Sequence, residues 1–394
     1  MRSYFISFLF LLLVELSFAQ TWNAYHQNIV DNCTLSNTTN NINEFVAFGE
    51  KNAASNNTKY NNLVAAKNWL ISKYQSYGYT DVVEDNFTYN GKTVTNVVVT
   101  KIGELYPNTF VIIDGHYDTL NGVGANDNGS GVSLILEIAR VMVNVPTAYS
   151  IKFINFTVEE QGLHGSYYYA NTTSLGLDIR YVFNIDEVGG VAGMTNNTIT
   201  CESDQGIPNS NNEASAILTN ELATSIELYS SLNTQISYAY NSDYMSFENK
   251  GEIITGLYET NETPYAHTSS DIIANMDIPY VFEITKGSAG ALLHFAQANE
   301  SLKVNDEYNE LTNVKVFPNP IRNNRVNFMF NSANLINKKV DVKLVDILGN
   351  TILKTSFNST TKISQLELNQ FNVGVYFIVV NIEGKEKRQK VMIK

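Results

Sequence analysis

Five short segments of this chain place imidazole or carboxylate groups beside glycines or at the end of an apolar run. They are Gly115-His116-Tyr117-Asp118, Asp127 within Gly124-Ala125-Asn126-Asp127-Asn128-Gly129-Ser130-Gly131, Glu159-Glu160-Gln161-Gly162, Asp186-Glu187, and His267 within Ala266-His267-Thr268-Ser269-Ser270-Asp271. Brought together, two imidazoles and three carboxylates suit a pair of divalent ions. Nitrogen and oxygen donors without a thiolate are a zinc donor set. Three carboxylates offset most of the charge of two dications, and one of them can bridge ions about 3.5–4 Å apart. A carboxylate beside a ligand carboxylate, as in Glu159-Glu160, can take a proton from a metal-held water. Asp118, two residues past His116, is placed to accept the other imidazole N–H and fix its tautomer.

Taken singly, each residue has an ordinary explanation. Asp127 ahead of Asn-Gly-Ser and an apolar run is good turn and N-cap chemistry. Glu159-Glu160 reads as a solvated pair, Asp186 as a turn residue, and His267 as part of a polar surface loop. His26, His164 and His294, with Trp22 and Trp69, are explained by packing. What points to a site is that five such segments occur in one order, three of them directly after predicted strands.

Those strands follow from periodicity. Leu63, Ala66, Trp69, Leu70 and Tyr74 stand at helical spacing and predict a helix over 62–77. Strands are expected at 82–89, 93–102 and 109–114, a buried helix at 130–143, a strand at 150–157, a helix at 163–169 and a strand at 181–185. A helix at 213–232, strands at 235–240 and 253–258, and a helix at 278–298 complete the pattern. Strands alternating with helices indicate βαβ units, hence an α/β domain whose central sheet is mostly parallel (mixed), with helices on both faces. Such sheets bind ligands just beyond the carboxyl ends of their strands. His116, Glu159-Glu160 and Asp186 all follow apolar strands directly.

The ordered set GHYD, AxDNGSG, EEQGLHGS, NIDE and HTSSD resembles the co-catalytic di-zinc aminopeptidases, the family of bacterial leucyl aminopeptidase and aminopeptidase Y, over nearly all of 60–298. The resemblance implies two zinc ions: His116 and Asp186 on one, Glu160 and His267 on the other, and Asp127 bridging. It implies Glu159 as general base, with Asp118 beside it in the catalytic set, and a peptide with a free N-terminus as substrate. Ser242-Asp243-Tyr244 departs from the family's usual third-position histidine, which leaves Asp243 a supporting role. Relatives place an aromatic before the second histidine where this chain has Ala266, so Tyr265 or Tyr258 would have to serve as oxyanion partner. Glutaminyl cyclases of the same fold use one zinc and pocket tryptophans, whereas both tryptophans here precede residue 70. A carboxypeptidase with the same metals would differ mainly in how it binds the substrate terminus. A non-catalytic receptor-like member would be expected to have lost ligands, whereas this chain keeps all five.

Arg2, the apolar run 5–14 and Ser17-Phe18-Ala19 form an expected signal peptide over 1–19. No other segment approaches eighteen consecutive apolar residues, so no stable membrane insertion is expected. The catalytic domain is expected at 20–302, a linker at 303–313 and a small all-β sandwich at 314–394, with strands at 314–317, 325–330, 340–346, 350–357, 374–381 and 388–393. The last 81 residues hold thirteen basic and five acidic side chains, a net +8, against −21 for the rest. An acidic body argues against a nucleic-acid partner. Val314-Lys315-Val316-Phe317-Pro318-Asn319-Pro320, Gly374-Val375-Tyr376-Phe377 and the basic close at Lys390-Val391-Met392-Ile393-Lys394 resemble the C-terminal sorting domain of the Por (type IX) secretion system. That implies the outer-membrane secretion machinery as a partner and a secreted or cell-surface location. The two cysteines, Cys33 and Cys201, could form a disulfide or stay free, and neither stands in a nucleophile context. Residues 20–60 read either as an inhibitory propeptide or as a segment packed beside the sheet.

Overall fold

The computed structural model describes residues 20–302 except 55, and 314–393 except 323–324, 331–334, 347–349, 360–362, 369–370 and 373. The expected signal peptide and linker lie outside the described residues. The chain divides into two compact units after Leu302.

The first unit opens with α1 (Ala24–Val30), α2 (Leu35–Val46) and α3 (Asn57–Tyr77), then a hairpin of β1 (Val82–Tyr89) and β2 (Lys92–Lys101). Next come β3 (Tyr106–His116), α4 (Gly129–Met142), β4 (Tyr149–Phe156), α5 (His164–Tyr168) and β5 (Asp178–Ile185). β6 (Thr198–Ser203), α6 (Asn212–Tyr229), β7 (Asn233–Tyr238), α7 (Met245–Glu248), β8 (Ile254–Glu259) and α8 (Ile278–Phe295) follow. The eight strands form one sheet in the order β1-β2-β4-β3-β5-β8-β6-β7. β4, β3, β5 and β8 run parallel as a central block, while β2 on one side and β6 on the other are antiparallel to it.

Alternation along the central strands divides the core in two. Val97, Val99, Val111, Ile113, Ile151, Phe153, Phe183 and Ile185 face one cluster with α3, α4 and α8, while Val98, Ile112, Ile154, Phe156 and Val182 face another with Tyr169, Tyr244 and Phe247. Both faces are covered, which is what continuous apolar strands require. α4 is buried on nearly every side, as its all-round apolar sequence predicts.

Most helices and strands lie within a few residues of expectation. α1, α2, β6 and α7 are additions. α2, with the sequence LSNTTNNINEFV, has weak helix formers along its length. It is held by the Thr34 cap on the Asn37 N–H and by burial of Ile42 and Phe45. Residues 20–54 are built into the domain: the Thr34 N–H donates to Glu137 at 2.7 Å, Lys51 and Thr119 exchange hydrogen bonds, and the Lys51 ammonium donates to the Gly49 and Val123 carbonyls at 2.8 Å. One packing expectation needs correction, and the open question of the cysteines is answered. Trp22 is 53% exposed because α1 turns its ring outward to Gln27. Cys33 and Cys201 are both buried and free, and burial pushes the Cys33 thiol up to about 12.

Seven strands are described in the second unit: β9 (Val314–Arg322), β10 (Arg325–Phe330), β11 (Lys339–Val345), β12 (Thr351–Asn358), β13 (Ile363–Glu367), β14 (Gly374–Ile382) and β15 (Lys385–Ile393). β9, β10 and β13 form one antiparallel ladder, β12, β11, β14 and β15 another, and one parallel pair, Ile393 with Ile321, joins them. Inward residues of both ladders share one core, including Val316, Phe328, Val342, Ile378 and Val391. Asn319 pins β9 to β15, donating to the Lys390 carbonyl at 3.1 Å and accepting from the Met392 N–H at 2.9 Å. β13 is the strand that periodicity missed.

Phe45 is fully buried between Trp69 and the Lys51 ammonium. Phe45→Ala is expected to lower stability by about 3–5 kcal/mol, read as a reduced urea midpoint for the first unit. A neutral result would mean that α2 is not part of its cooperative core.

Candidate metal centre

The four parallel strands end side by side, and the candidate residues stand at or just beyond those ends. His116 closes β3, Glu159 and Glu160 follow β4, Asp186 follows β5, and the loop after β8 carries His267. Asp127 comes from the turn that starts α4, where Asn128 caps the Gly131 N–H. Glycine is needed in two places for this approach. A side chain at Gly115 would lie 2.6 Å from the Ile185 carbonyl, and one at Gly131 2.8 Å from the same oxygen. Without them, α4 could not settle onto the ends of β3 and β5.

The side chains converge. His116 Nε2 stands 3.2 Å from Asp127 Oδ1 and 3.2 Å from Asp186 Oδ1. His267 Nε2 stands 3.1 Å from Asp127 Oδ2 and 2.9 Å from Glu160 Oε2. Two trios result, His116–Asp127–Asp186 and Asp127–Glu160–His267, each with all its donor atoms within 4.8 Å. Asp127 belongs to both and offers one oxygen to each.

The chemistry of these atoms fits metal ions. His116 Nδ1 lies 3.1 Å from the Asp118 carbonyl. In the neutral ring that contact takes the N–H and leaves the Nε2 lone pair facing two carboxylate oxygens. An acceptor surrounded by acceptors calls for a cation between them. Donors bound at about 2.0–2.1 Å to a tetrahedral zinc stand about 3.3 Å apart, close to the spacings here. Glu160 Oε1 is buried without a hydrogen-bond partner, a second sign of a missing positive group.

Asp118 acts differently from expectation. Its carboxylate is 3.8 Å from His116 Nδ1, and its oxygens instead accept the backbone N–H groups of Glu159 at 3.1 Å and Glu160 at 3.3 Å. The ring is oriented by the carbonyl, and the carboxylate sets the turn that presents both glutamates. Glu159 Oε2 is 4.0 Å from His116 Nε2, with the side chain 12% exposed. His164 packs at a tilt against Tyr89 and His26 bonds the Ala298 carbonyl, away from this centre.

Other residues complete the frame. Ser242 donates to Asp186 Oδ2 at 2.7 Å and accepts from Asn184 at 3.0 Å. Asp271 accepts the backbone N–H groups of Asn126 at 2.8 Å and Asp127 at 3.1 Å, one on each oxygen. Glu259 receives Asn126 Nδ2, the Gly190 N–H and the Thr263 N–H. Glu259 shares with Asp186 the signal of a carboxylate at a strand end, but nothing local in the sequence points to Ser242 or Asp271 as a clamp. Asp243 is fully buried, and Tyr244, in place of the family's histidine, turns inward to donate to Glu202 at 2.7 Å. A cavity of about 300 Å³ is lined by His116, Asp127, Glu159, Glu160, Asp186, Glu187, His267 and their neighbours, with neither Tyr258 nor Tyr265 among them.

Burial and like charge dominate the titration. Burial lifts Glu159 well above the usual carboxylate range; His116 pulls it back, and Asp186, Asp243 and Asp118 push it further up. Burial likewise pushes Glu160 and Asp243 up to about 7 and Asp118 up to about 6. Burial lowers His116, but Asp186, Glu159 and Asp127 outweigh it and hold the ring well above its ordinary value. Hydrogen bonds to Asp127 and Glu160 raise His267 to about 11.

Residues 96–290 match Peptidase family M28, and residues 315–394 match the secretion system C-terminal sorting domain. The chain thus carries an M28 peptidase domain followed by a sorting domain. Aminopeptidase YwaD of Bacillus subtilis is 31% identical over 201 residues, which are 48% of this chain and 42% of the relative. A probable zinc metalloprotease of Pyricularia oryzae is 29% identical over 176 residues, 39% of this chain and 35% of the relative. The chain therefore spans less than half the length of these curated relatives. The LapA aminopeptidase structure from Legionella pneumophila shares the fold, with a TM-score of 0.62 at 22% identity over 76% of this chain and 81% of that one.

Asp271→Ala strips the acceptors from two buried N–H groups, and each orphaned donor costs about 1–3 kcal/mol. The expected result is a lower urea midpoint; an unchanged midpoint would show that the clamp contributes nothing. Chelator-treated protein should also respond to pH. A carboxyl group raised in the folded state favours folding while protonated, so stability should fall as pH rises from about 4 to about 7. The raised imidazoles act in the same direction, their contribution being full below about pH 6.5 and lost towards pH 11. Thermal melts should show this decline with chelator and a flatter profile with zinc. A chelated melt that rises over pH 4–7 would refute it.

Proposed function

We propose that this chain is an exported zinc aminopeptidase that removes N-terminal residues from peptides with two metal ions and a glutamate base. The observation that carries the reading is the Asp127 carboxylate, within 3.2 Å of both imidazoles, one oxygen to each. His116 and Asp186 would hold one zinc, Glu160 and His267 the other, and Asp127 would bridge. Bound there, the pair would lower the pKa of a shared water towards neutrality and polarise the substrate carbonyl.

The protein's own groups supply the proton traffic and the order. Glu159, whose Oε2 lies 4.0 Å from His116 Nε2 beside the trios, accepts as a carboxylate a proton from the attacking water and returns it to the leaving amine nitrogen. Asp118 fixes the Glu159-Glu160 turn, so the base and its ligand neighbour keep their spacing. Ser242 and Asn184 hold Asp186 in one orientation, and Asp271 holds the loop of Asp127. The small cavity suits one residue of a peptide better than an extended segment. The name of the Bacillus subtilis relative favours the amino end, and the sorting domain supports delivery by the type IX outer-membrane machinery.

Release of p-nitroaniline from leucyl-p-nitroanilide, compared with its N-acetylated form, tests the reading. The free amine substrate should be cleaved, the blocked one should not, and a chelator should abolish turnover. Cleavage of the blocked substrate would refute the aminopeptidase assignment. Glu159→Gln should lower kcat by roughly 10²–10⁴-fold with zinc content by elemental analysis unchanged. Loss of zinc in that variant would make Glu159 a ligand instead.

A further inference from the structure

We infer that Glu187 directs this cavity towards peptides whose first residue is basic, a lysine or an arginine. The inference rests on the reading that the substrate's N-terminal residue occupies the cavity.

Glu187 lines the cavity beside Asp127, Asp186 and His267. Its backbone sits at φ +46°, in the left-handed region that a side-chain-bearing residue rarely adopts without cause. Neighbouring bonds hold it there: its carbonyl accepts the Glu259 N–H at 2.9 Å, and the N–H groups of Val188 and Gly189 go to Ser130 and Asn126. The direction of the side chain is therefore set by the frame around the candidate metal centre.

Its carboxylate is not part of that centre, because neither trio includes it. The carboxylates of Asp127, Asp186 and Glu160 each have an imidazole nitrogen within 3.2 Å, whereas Glu187 Oε2 is buried with no hydrogen-bond partner. A buried carboxylate oxygen without a partner is costly unless a positive group completes it. Among the described residues, the cation-forming side chains in the cavity lining are His116 and His267, and both already face other carboxylates. Ions held by the two trios would be matched by His116, Asp127, Glu160, Asp186 and His267, which leaves Glu187 Oε2 for a positive group that arrives with the substrate.

Two parts of a substrate carry that chemistry. The α-ammonium is one carbon from the carbonyl that reacts, so it must stay by the trios, which exclude Glu187. The ammonium or guanidinium of a basic side chain lies several bonds further out and can reach past them.

The test uses the zinc-loaded full chain and p-nitroanilides of lysine, arginine and norleucine, the last matching lysine's stem without its charge. The wild type should favour lysine over norleucine in kcat/KM, and Glu187→Gln should shrink that ratio by about 10–100-fold, the worth of one charge-assisted contact. Glu187→Asp, which keeps the charge, should restore part of it and guards against a folding artefact. An unchanged ratio in Glu187→Gln, with all substrates still cleaved, overturns the inference and leaves the aminopeptidase reading standing. Equal losses on all three substrates also overturn it, and move Glu187 to the α-ammonium. No cleavage of any unblocked substrate by the wild type sinks both.

Discussion

Asp127, Glu160, Asp186 and Glu159 lie within a few ångströms of one another at the end of a buried sheet, in surroundings that raise Glu159 and Glu160. Like charges at that distance and depth repel strongly and are poorly hydrated. The arrangement holds together only with positive charge among them. Without ions the protonated imidazoles supply it; with ions bound the rings are neutral ligands and the ions would supply it. The depth of the site, its inward-facing lone pairs and its raised carboxyl groups all follow from that one requirement.

The frame that resists this repulsion is made largely of backbone. Asp118 and Asp271 spend their carboxylates on main-chain N–H groups rather than on the imidazoles. Each anion thus fixes a turn that presents a candidate ligand, and each is itself satisfied by two donors. Ser242 does the same for Asp186 through a hydroxyl. Ligand-bearing loops set in this way need little rearrangement when ions bind, which is the condition for a rigid hydrolytic centre.

The N-terminal segment contributes to the same rigidity. Its Lys51 ammonium lies in the fold over the Phe45 ring and donates to the carbonyls of Gly49 and Val123, so the loop between β3 and α4 is tied from outside as well as from the sheet. The second unit has its own core, formed by the inward residues of two ladders. Its match to the secretion sorting domain gives it a separate task from the peptidase domain.

Strand and helix periodicity, and the rule that ligands sit beyond parallel strand ends, were sufficient to place His116, Glu159, Glu160 and Asp186 together. Those signals are local, because a strand end and the polar residue after it are neighbours in sequence. Helix α2 and strand β6 were not legible, since their weak formers are held by contacts with distant elements. The roles of Asp118, Ser242, Asp271 and Glu187 were decided only by tertiary structure. A hydrogen bond such as that from the Asn126 N–H to Asp271 joins residues 145 positions apart, and no pattern along the chain records which acceptor a buried donor finds. Residue types determine what chemistry is available, whereas three-dimensional packing decides which group is left without a partner.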